Sequence, residues 1–391
     1  MKRIWPFTFY FLYFAAFASL LPFFVLFYQG LGFSGGQIGL LAGVSPLITV
    51  IAGPFWTGVA DATRCHKLIM GMGVGVSVLT ILLLPLFKSF AAVFILVALF
   101  NTFLAPVASL TDSATMSMLG EERALYGRIR LGGTIGWGGF APIAGAIVEN
   151  FGLRISFWTF SAIMALNLFI SQKLSFGTPE EHASNRGGIR LLLTNRRWVL
   201  FLPVALLGGI GAFSVASYLY PYMAELGATE TEMGIALTIA TVTEVPIFFF
   251  GDRLVKRFTS RGLFVIAVVL LGLRSLSYAM LSTPLMVWIL QVFGGMIFPA
   301  MWLAGVSYAD ENAPAGLKST AQGLFGAVTF GVGAAVGGFI GGLLLESIGG
   351  RGMFLVFGIM ILVGLVLVEG IKRIFPAKEE LSQAVPAASD K

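Results

Sequence analysis

Long apolar stretches separated by short polar breaks run through almost the whole chain. About 20 apolar residues in an α-helix cross the hydrocarbon core of a bilayer. On this measure the pattern predicts twelve transmembrane helices, at residues 7–28, 37–60, 68–87, 90–115, 130–150, 153–173, 198–221, 231–250, 261–282, 284–308, 318–345 and 351–373. The first stretch is too long for a cleaved signal peptide and is followed by more membrane segments. We therefore predict an all-α membrane protein with twelve transmembrane helices.

The longest polar interruption, Gln172 to Arg197, contains GTPEEHASNRGG and separates the first six segments from the last six. It predicts an N-terminal six-helix bundle at 1–173, a cytoplasmic central loop at 174–197 and a C-terminal six-helix bundle at 198–375. The stretch IRLLLTNRR is expected to form a short helix on the membrane surface. The tail at 376–391 has no apolar periodicity, so we expect a disordered cytoplasmic segment.

The distribution of Lys and Arg predicts the orientation in the membrane. If the N-terminus is cytoplasmic, only Lys88, Arg154 and Arg351 of the 25 basic residues fall in external loops. Cytoplasmic loops normally carry the excess of Lys and Arg. We therefore expect both termini in the cytoplasm and a multi-pass location in the plasma (inner) membrane.

Composition excludes several classes of function. The chain is 57% hydrophobic and 11% charged, whereas soluble domains carry about a quarter charged residues. Its net charge of +6 comes from clusters at the ends of apolar segments, which argues against nucleic acid as a partner. The single Cys65 allows no internal disulfide. We find no metal-ligand spacing, nucleotide loop or Ser-His-Asp arrangement, and so expect neither an enzyme nor a bound metal or cofactor.

One polar pattern recurs after the second helix of each half. It comprises Gly58, Asp61, Arg64 and Lys67 in the first half, and Gly251, Asp252 and Arg253 in the second. A small residue lets helix ends approach, and an aspartate among basic residues can bond a neighbouring helix terminus. We interpret these residues as a cytoplasmic clasp that opens and closes.

This pattern resembles the major facilitator superfamily, whose motif is Gly-x-x-x-Asp-x-x-Gly-Arg-Lys. Thr57 and Arg64 stand in place of the two motif glycines, so the role of Asp61 is better supported than that of the glycines. The resemblance covers about residues 5 to 375 and implies two bundles that rock about a central cavity. We also expect the protein to function as a monomer. Glycines on helices five and eleven suit such rocking, although tight static packing explains them equally.

Three charged residues lie well inside apolar segments: Asp112, Glu244 and Arg274. Charges at such depth normally face a partner or a water-filled cavity, which makes each a candidate functional residue. Asp112 on helix four and Arg130 on helix five can reach similar depths. The alternative is that Asp112 is a solvated helix-end residue and Arg130 a positive-inside anchor.

A more specific resemblance favours binding. The run Tyr126-Gly127-Arg128-Ile129-Arg130, with Trp137, is similar to the fourth-to-fifth helix region of the lactose permease and phenylpropionate permease proton symporters. The resemblance implies that Asp112, Arg130 and Trp137 bind substrate, the guanidinium by a two-pronged grip and the indole by stacking.

Glu244 on helix eight and Arg274 on helix nine resemble the phenylpropionate permease pattern. On this resemblance we expect Glu244 to take the proton and Arg274 to tune it, and Arg274 is also a candidate substrate-binding residue. The alternative is a structural ion pair bracing two helices. Helix ten departs from lactose permease, with Gly294 and Ile297 where that family has a His and a Glu, and with Trp302 where many phenylpropionate-type relatives have a His. Either Glu244 or Asp112 then carries the proton, or transport is uncoupled.

Polar and aromatic residues on helices one and ten complete the candidate site, since those helices line the cavity in this fold. They are Tyr10, Tyr13, Gln291 and Trp302. The resulting hypothesis is a proton-coupled symporter of a small organic solute such as a sugar, aromatic acid or nucleoside, with protons and lipid as its other partners. The alternatives are a proton-coupled exporter of drugs or metabolites and a non-transporting receptor or scaffold.

Overall fold

The computed structural model of the protein describes residues 3–177, 188–314 and 317–374, and all regular structure among them is helical. The long helices are α1 (Ile4–Gly30), α2 (Gly35–Thr63), α3 (His66–Leu86), α4 (Phe90–Leu119), α5 (Tyr126–Phe151), α6 (Arg154–Ser171), α7 (Arg196–Glu225), α8 (Glu230–Phe258), α9 (Ser260–Ala279) and α10 (Pro284–Asn312). A short helix, Gly188–Thr194, precedes α7 as expected. The tail and most of the acidic central loop, including His182, lie outside the described residues.

The last helical run, Lys318–Arg373, is 56 residues long. A continuous helix of that length would extend about 84 Å, far beyond the roughly 30 Å of one bilayer core. Gly349, with φ +70° and ψ 173°, breaks the run into two helices. We name them α11 (318–348) and α12 (350–374), so each of the twelve predicted apolar segments is helical.

Several helices continue beyond the apolar segments that predicted them. Asp61 lies within α2 rather than in the following loop, and Asp252 and Arg253 lie within α8. The loop assignment of these three clasp residues was therefore wrong. Polar side chains end the apolar pattern but leave backbone hydrogen bonding intact, so a helix can project past the hydrocarbon region. Arg64, at φ 56°, ends α2 in the left-handed conformation.

Within the first half, α1 packs on α5 and α6, and α4 packs on α2 and α3. Within the second half, α8 and α9 pack on α10, while α7 packs on the α11 and α12 run. Two long seams join the halves, α2 with α11 and α5 with α8. Glycines form both seams: a Cβ on Gly39 would meet the Phe339 backbone, and one on Gly234 would meet the Ala141 backbone.

The seams lie on one side of the molecule. The close approaches and hydrogen bonds between the halves join residues 35–50 to 331–346 and residues 138–149 to 230–241. All these segments adjoin the α1–α2, α5–α6, α7–α8 and α11–α12 turns, and we call that face the odd-loop side. Towards the opposite, even-loop side, Phe55 of α2 is 62% exposed and Phe248 of α8 is 49% exposed. The described close approaches and hydrogen bonds between the halves are thus concentrated at the odd-loop side.

Candidate functional site

Asp112 is the centre of a four-residue cluster in the first half. Its Oδ1 accepts hydrogen bonds from the Tyr10 hydroxyl, from the Tyr126 hydroxyl at 3.0 Å and from Arg130 Nη1 at 3.0 Å. The Arg130 guanidinium lies over the Tyr10 ring, 5.6 Å from its centroid. Three helices, α1, α4 and α5, therefore supply one charge-balanced group of donors and acceptors, which we call the Asp112 cluster.

The Asp112 cluster is open to its surroundings. The Arg130 side chain is 46% exposed and that of Asp112 is 40% exposed. An ion pair this exposed contributes only about 0 to 1 kcal/mol to the free energy of unfolding. Stabilisation of the fold therefore does little to explain why the pair is there. Guanidinium and carboxylate atoms left uncovered at a helical interface can instead exchange partners with a bound solute.

Trp137 extends the same face of α5. It follows Arg130 by seven residues, or about two helical turns and 10 Å, so both side chains lie on one face. Trp137 is half-buried, and the next residue, Gly138, accepts a hydrogen bond from Thr238 Oγ1 of α8 at 2.6 Å. Trp137 therefore lies at the level of α5 where the two halves meet. Tyr13 packs in an aromatic group with Phe9, Phe14 and Phe17.

Arg274 belongs to a second cluster, in the other half. Its Nε donates to the Tyr278 hydroxyl at 2.9 Å, Nη2 donates to Gln291 Oε1, and Nη1 donates to the Gly294 carbonyl at 3.4 Å. Gln291 is 2% exposed and Tyr278 is fully buried. In this Arg274 cluster every acceptor is a neutral group of α9 or α10.

The described residues do not pair Arg274 with Glu244, contrary to the neighbour relation inferred from the sequence. Helix α10 lies between the two. Gly294 faces α9, where an added Cβ would clash with the Arg274 guanidinium, and Gly295 faces Thr243 of α8. Consecutive residues point about 100° apart around a helix, so α10 contacts Arg274 on one face and α8 on a neighbouring face. Gly294, in the place where lactose permease has a coupling residue, leaves the space that Arg274 fills.

Glu244 lies midway along α8 and has no hydrogen bond or ion pair to the part of the chain that the structure describes. Thr238 and Thr241 face α5, and Thr243 faces α10. Glu244 follows Thr241 by three residues and Thr243 by one. Its side chain therefore points between the face of α8 that contacts α5 and the face that contacts α10. Val242, two residues earlier and so on the opposite side of α8, is 63% exposed, which places Glu244 on the inward side of the helix between α5 and α10.

The other residues proposed on helix ten occupy different surroundings. Gln291 belongs to the Arg274 cluster, and its backbone carbonyl accepts from Thr243 at 3.5 Å. Trp302 is 39% exposed and packs on Phe325 and Phe330 of α11. Phe330 lies in a π-helical stretch, Ala327–Gly333. Gln291 thus connects three helices of the second half, whereas Trp302 offers an accessible aromatic face.

In the described part of the chain, the clasp residues Asp61, Lys67 and Arg253 have partners within their own half. Asp61 Oδ1 lies 2.9 Å from Nε2 of His66, which begins α3, and Lys67 Nζ donates to the Gln172 carbonyl at 3.3 Å. Both contacts stay within the first half. In the second half, the Arg253 guanidinium lies over the Phe250 ring. The contacts shown for Asp61, Lys67 and Arg253 therefore do not link the two halves in this conformation.

Tyr126 and Tyr278 were not among the sequence candidates. Tyr126 opens a motif that we had noted only for its arginines. Tyr278 follows Arg274 by one turn on the same face, a spacing that was available in the sequence. In the described ranges there is no group of three His, Cys, Asp or Glu placed to hold a metal ion.

Comparison with known proteins decides the family. The model of the MFS_1 like family matches residues 5–356. The chain belongs to this family of major facilitator transporters. The resemblance inferred from its motifs is thereby confirmed, and the protein is a multi-pass integral membrane protein.

Named relatives and solved structures agree with this family. The chain is 30% identical to the maltose permease of Geobacillus stearothermophilus over 384 residues, covering 97% of each chain. It is 25% identical to the probable 3-phenylpropionic acid transporter of Escherichia coli (strain K12) over 92% of this chain and 95% of the other. The fold is similar to a crystal structure of a mutant of the nucleoside transporter NupG, with TM-score 0.86, 18% identity and coverage of 95% of this chain and 100% of that one.

Proposed function

We propose that this protein is a proton-coupled symporter that carries a small, neutral, hydroxyl-rich solute by alternating access. The observation that carries the proposal is the Asp112 cluster, which combines a carboxylate, a guanidinium and two phenols at an exposed position. Residues 1–173 and 198–375 would form two six-helix bundles that rock about the space between them.

The charge balance of the Asp112 cluster supports a neutral substrate. Arg130 is already paired with Asp112, so an anionic substrate would have to displace that carboxylate. A sugar-like hydroxyl can donate to the carboxylate and accept from the guanidinium or a phenol, which preserves every charge-assisted bond. Trp137, two turns along the same face, adds an apolar ring on which a sugar or other ring can stack. The relative named maltose permease is, by its name, a protein that carries a solute of this chemistry.

Glu244 is the proposed proton carrier. It can accept and release a proton without breaking an ion pair, because the described residues offer it no hydrogen-bonded partner. Protonation of Asp112 would disturb three hydrogen bonds, so we assign Asp112 to substrate binding. We assign Arg274 to holding Gln291 and α10 in place, which supports the wall of the cavity opposite the Asp112 cluster.

The conformation described is, on this proposal, open to the cytoplasm. The even-loop side carries nearly all Lys and Arg residues, as the cytoplasmic side of a membrane protein usually does. The substrate would be released through this opening after uptake from outside. The clasp residues Asp61, Arg64, Lys67, Asp252 and Arg253 would join the halves there when the outside opens.

Purified protein in liposomes tests this function. With an inside-alkaline proton gradient and labelled maltose, 3-phenylpropionate and a nucleoside, we expect accumulation of the sugar that collapses when a protonophore is added. Accumulation of the acid instead would contradict the neutral-substrate assignment. Gradient-driven loss of a preloaded drug, without uptake of any of the three solutes, would favour the exporter alternative. Accumulation insensitive to the protonophore would refute proton coupling.

A further inference from the structure

The odd-loop side contains an internal repeat that the transport mechanism above does not use. The turns that lead into α2 and α8 share the pattern Leu-Gly-x-Ser/Thr-x-x-Gln/Glu-x-Gly, at Leu31 to Gly39 and at Leu226 to Gly234. In both turns the hydroxyl residue, Ser34 or Thr229, forms a capping box with the side chain three residues later. The final glycine of each pattern packs against backbone of the other half.

The helices that face these turns also end alike. The end of α5 reads Glu149-Asn-Phe-Gly152-Leu-Arg154, and the end of α11 reads Glu346-Ser-Ile-Gly349-Gly-Arg351. Gly152 and Gly349 both have positive φ, at 83° and 70°, a conformation that glycine adopts without strain. Each half therefore presents one glutamate near the odd-loop end of its fifth helix.

Glu149 reaches across the seam to the start of α8. Its Oε2 accepts a hydrogen bond from the backbone N–H of Thr231 at 3.2 Å. Thr231 is the second residue of α8, where the backbone N–H groups have no partner within the helix. A carboxylate there also meets the positive end of the helix dipole. Glu149 of one half thus binds the N-terminus of a helix in the other.

Glu346 occupies the equivalent position on the second seam. Gly35 is the first residue of α2, and a Cβ added to it would lie 2.8 Å from Oε2 of Glu346. The carboxylate therefore lies directly over the start of α2. Each contact places a carboxylate of one half at a helix start of the other half, and among the described residues that of Glu149 includes a hydrogen bond to a backbone N–H.

These contacts are not explained by general acid placement at helix starts. The first turn of α8 already contains Glu230 and Glu232, and the Glu232 side chain accepts from its own Thr229 N–H at 2.9 Å. Glu149 binds a different N–H and adds a third carboxylate to the same helix start. Repulsion between like charges disfavours three carboxylates at one helix start. We therefore interpret the Glu149 contact as one that joins the two halves.

We propose that Glu149 and Glu346 are a matched pair of latches that hold the odd-loop side closed and detach when that side opens. The proposal adds two gating residues to the alternating access proposed above, and rests on it for their role in transport. Removing one charge should shift the conformational equilibrium towards the state open on the odd-loop side. Loss of one carboxylate at a helix start is expected to change the ratio of the closed to the open population by about two- to fivefold.

Spin labels test the latches directly. Labels at Lys88→Cys and Met280→Cys, in a Cys65→Ser background, report the separation of the halves at the odd-loop side; Lys88 and Met280 are both exposed. Glu149→Gln and Glu346→Gln should each raise the population with the longer distance about two- to fivefold, and the double variant should raise it by about the product. Glu149→Asp, which retains the charge but shortens the side chain, should behave as Glu149→Gln.

Glu225→Gln is the matched control. Glu225 binds the Gly350 N–H at the start of α12 at 2.9 Å, the same chemistry within one half. It should leave the distance distribution unchanged. Distances in the latch variants equal to wild type, or an equal shift in the control, would refute the latches. The distance measurement requires no substrate. A shift in the latch variants of a protein that transports none of the tested solutes would therefore contradict the proposed function but support the latches.

Discussion

The Asp112 cluster and the Arg274 cluster each gather an arginine, a tyrosine and further polar groups, yet they differ in charge and exposure. In the first, the arginine meets a carboxylate and both are about half-exposed. In the second, its hydrogen-bond acceptors among the described residues are neutral, one of them Gln291 at 2% exposed. An exposed, charge-balanced group can exchange its partners for a ligand, whereas a buried, satisfied group mainly fixes its neighbours. We therefore expect the Asp112 cluster in the first half to bind the substrate. The Arg274 cluster in the second half is expected to hold its helices in place.

The largest effect is expected at Glu244, which belongs to neither cluster. Glu244→Gln removes the exchangeable proton but retains nearly the same volume, so uphill uptake in liposomes should be abolished. Exchange of labelled for unlabelled substrate should continue, because it requires no net proton movement. Glu121→Gln, at an exposed turn, is the control and should change neither rate. Equal loss of exchange and uptake would place Glu244 in the binding site or in folding.

Substitution of Arg130 should weaken binding strongly. Arg130→Lys retains the charge but not the planar fork, so we expect an affinity about 10- to 100-fold lower, the range for losing one hydrogen bond to a charged group. Equilibrium binding of the transported solute measures it. Arg128→Lys, at an exposed position two residues earlier, should bind normally. Unchanged affinity in Arg130→Lys would return Arg130 to the role of a positive-inside anchor.

In the Arg274 cluster we expect a loss of stability rather than of affinity. Gly294→Ala would place a methyl group against the Arg274 guanidinium, which three acceptors hold in position. Such overpacking costs about 1 to 3 kcal/mol, and the thermal unfolding midpoint should fall. Gly75→Ala, whose Cβ would meet no atom within 4 Å, should leave the midpoint unchanged or raise it. A loss of affinity in Gly294→Ala with unchanged stability would reverse the roles of the two clusters.

The smallest effect is expected at Trp137. Trp137→Leu removes the ring face but retains an apolar side chain, and stacking contributes about 0.5 to 1.5 kcal/mol beyond buried area. We therefore expect affinity to fall by about two- to tenfold, measured by the same binding assay. Trp158→Leu on α6, where the ring is 44% exposed, should have no effect. An identical small loss in both variants would assign the change to the membrane environment.

How far the candidate site could be predicted differs between the halves. Asp112 and Arg130 were expected at similar depth, because a short turn joins their antiparallel helices, and the structure brings them into hydrogen-bond contact. Glu244 and Arg274 were expected to be neighbours, yet α10 separates them. The chain between Glu244 and Arg274 includes the turn from α8 to α9. Sequence spacing does not reveal that α10 packs between these two side chains. The latch residues were overlooked because their repeat lies in loop and helix-end positions without apolar periodicity.

The sequence by itself determined the apolar segments, their helical state and the family. A lipid environment leaves the backbone few alternatives to the helix, so composition and segment length suffice for these features. The tertiary structure alone decided which side chains meet, on which side the halves close, and that Arg274 has neutral partners. The physical reason is that the rotation and neighbours of each helix depend on contacts between residues far apart in the chain. Small residues such as Gly39, Gly234 and Gly294 set those contacts through the space they leave empty.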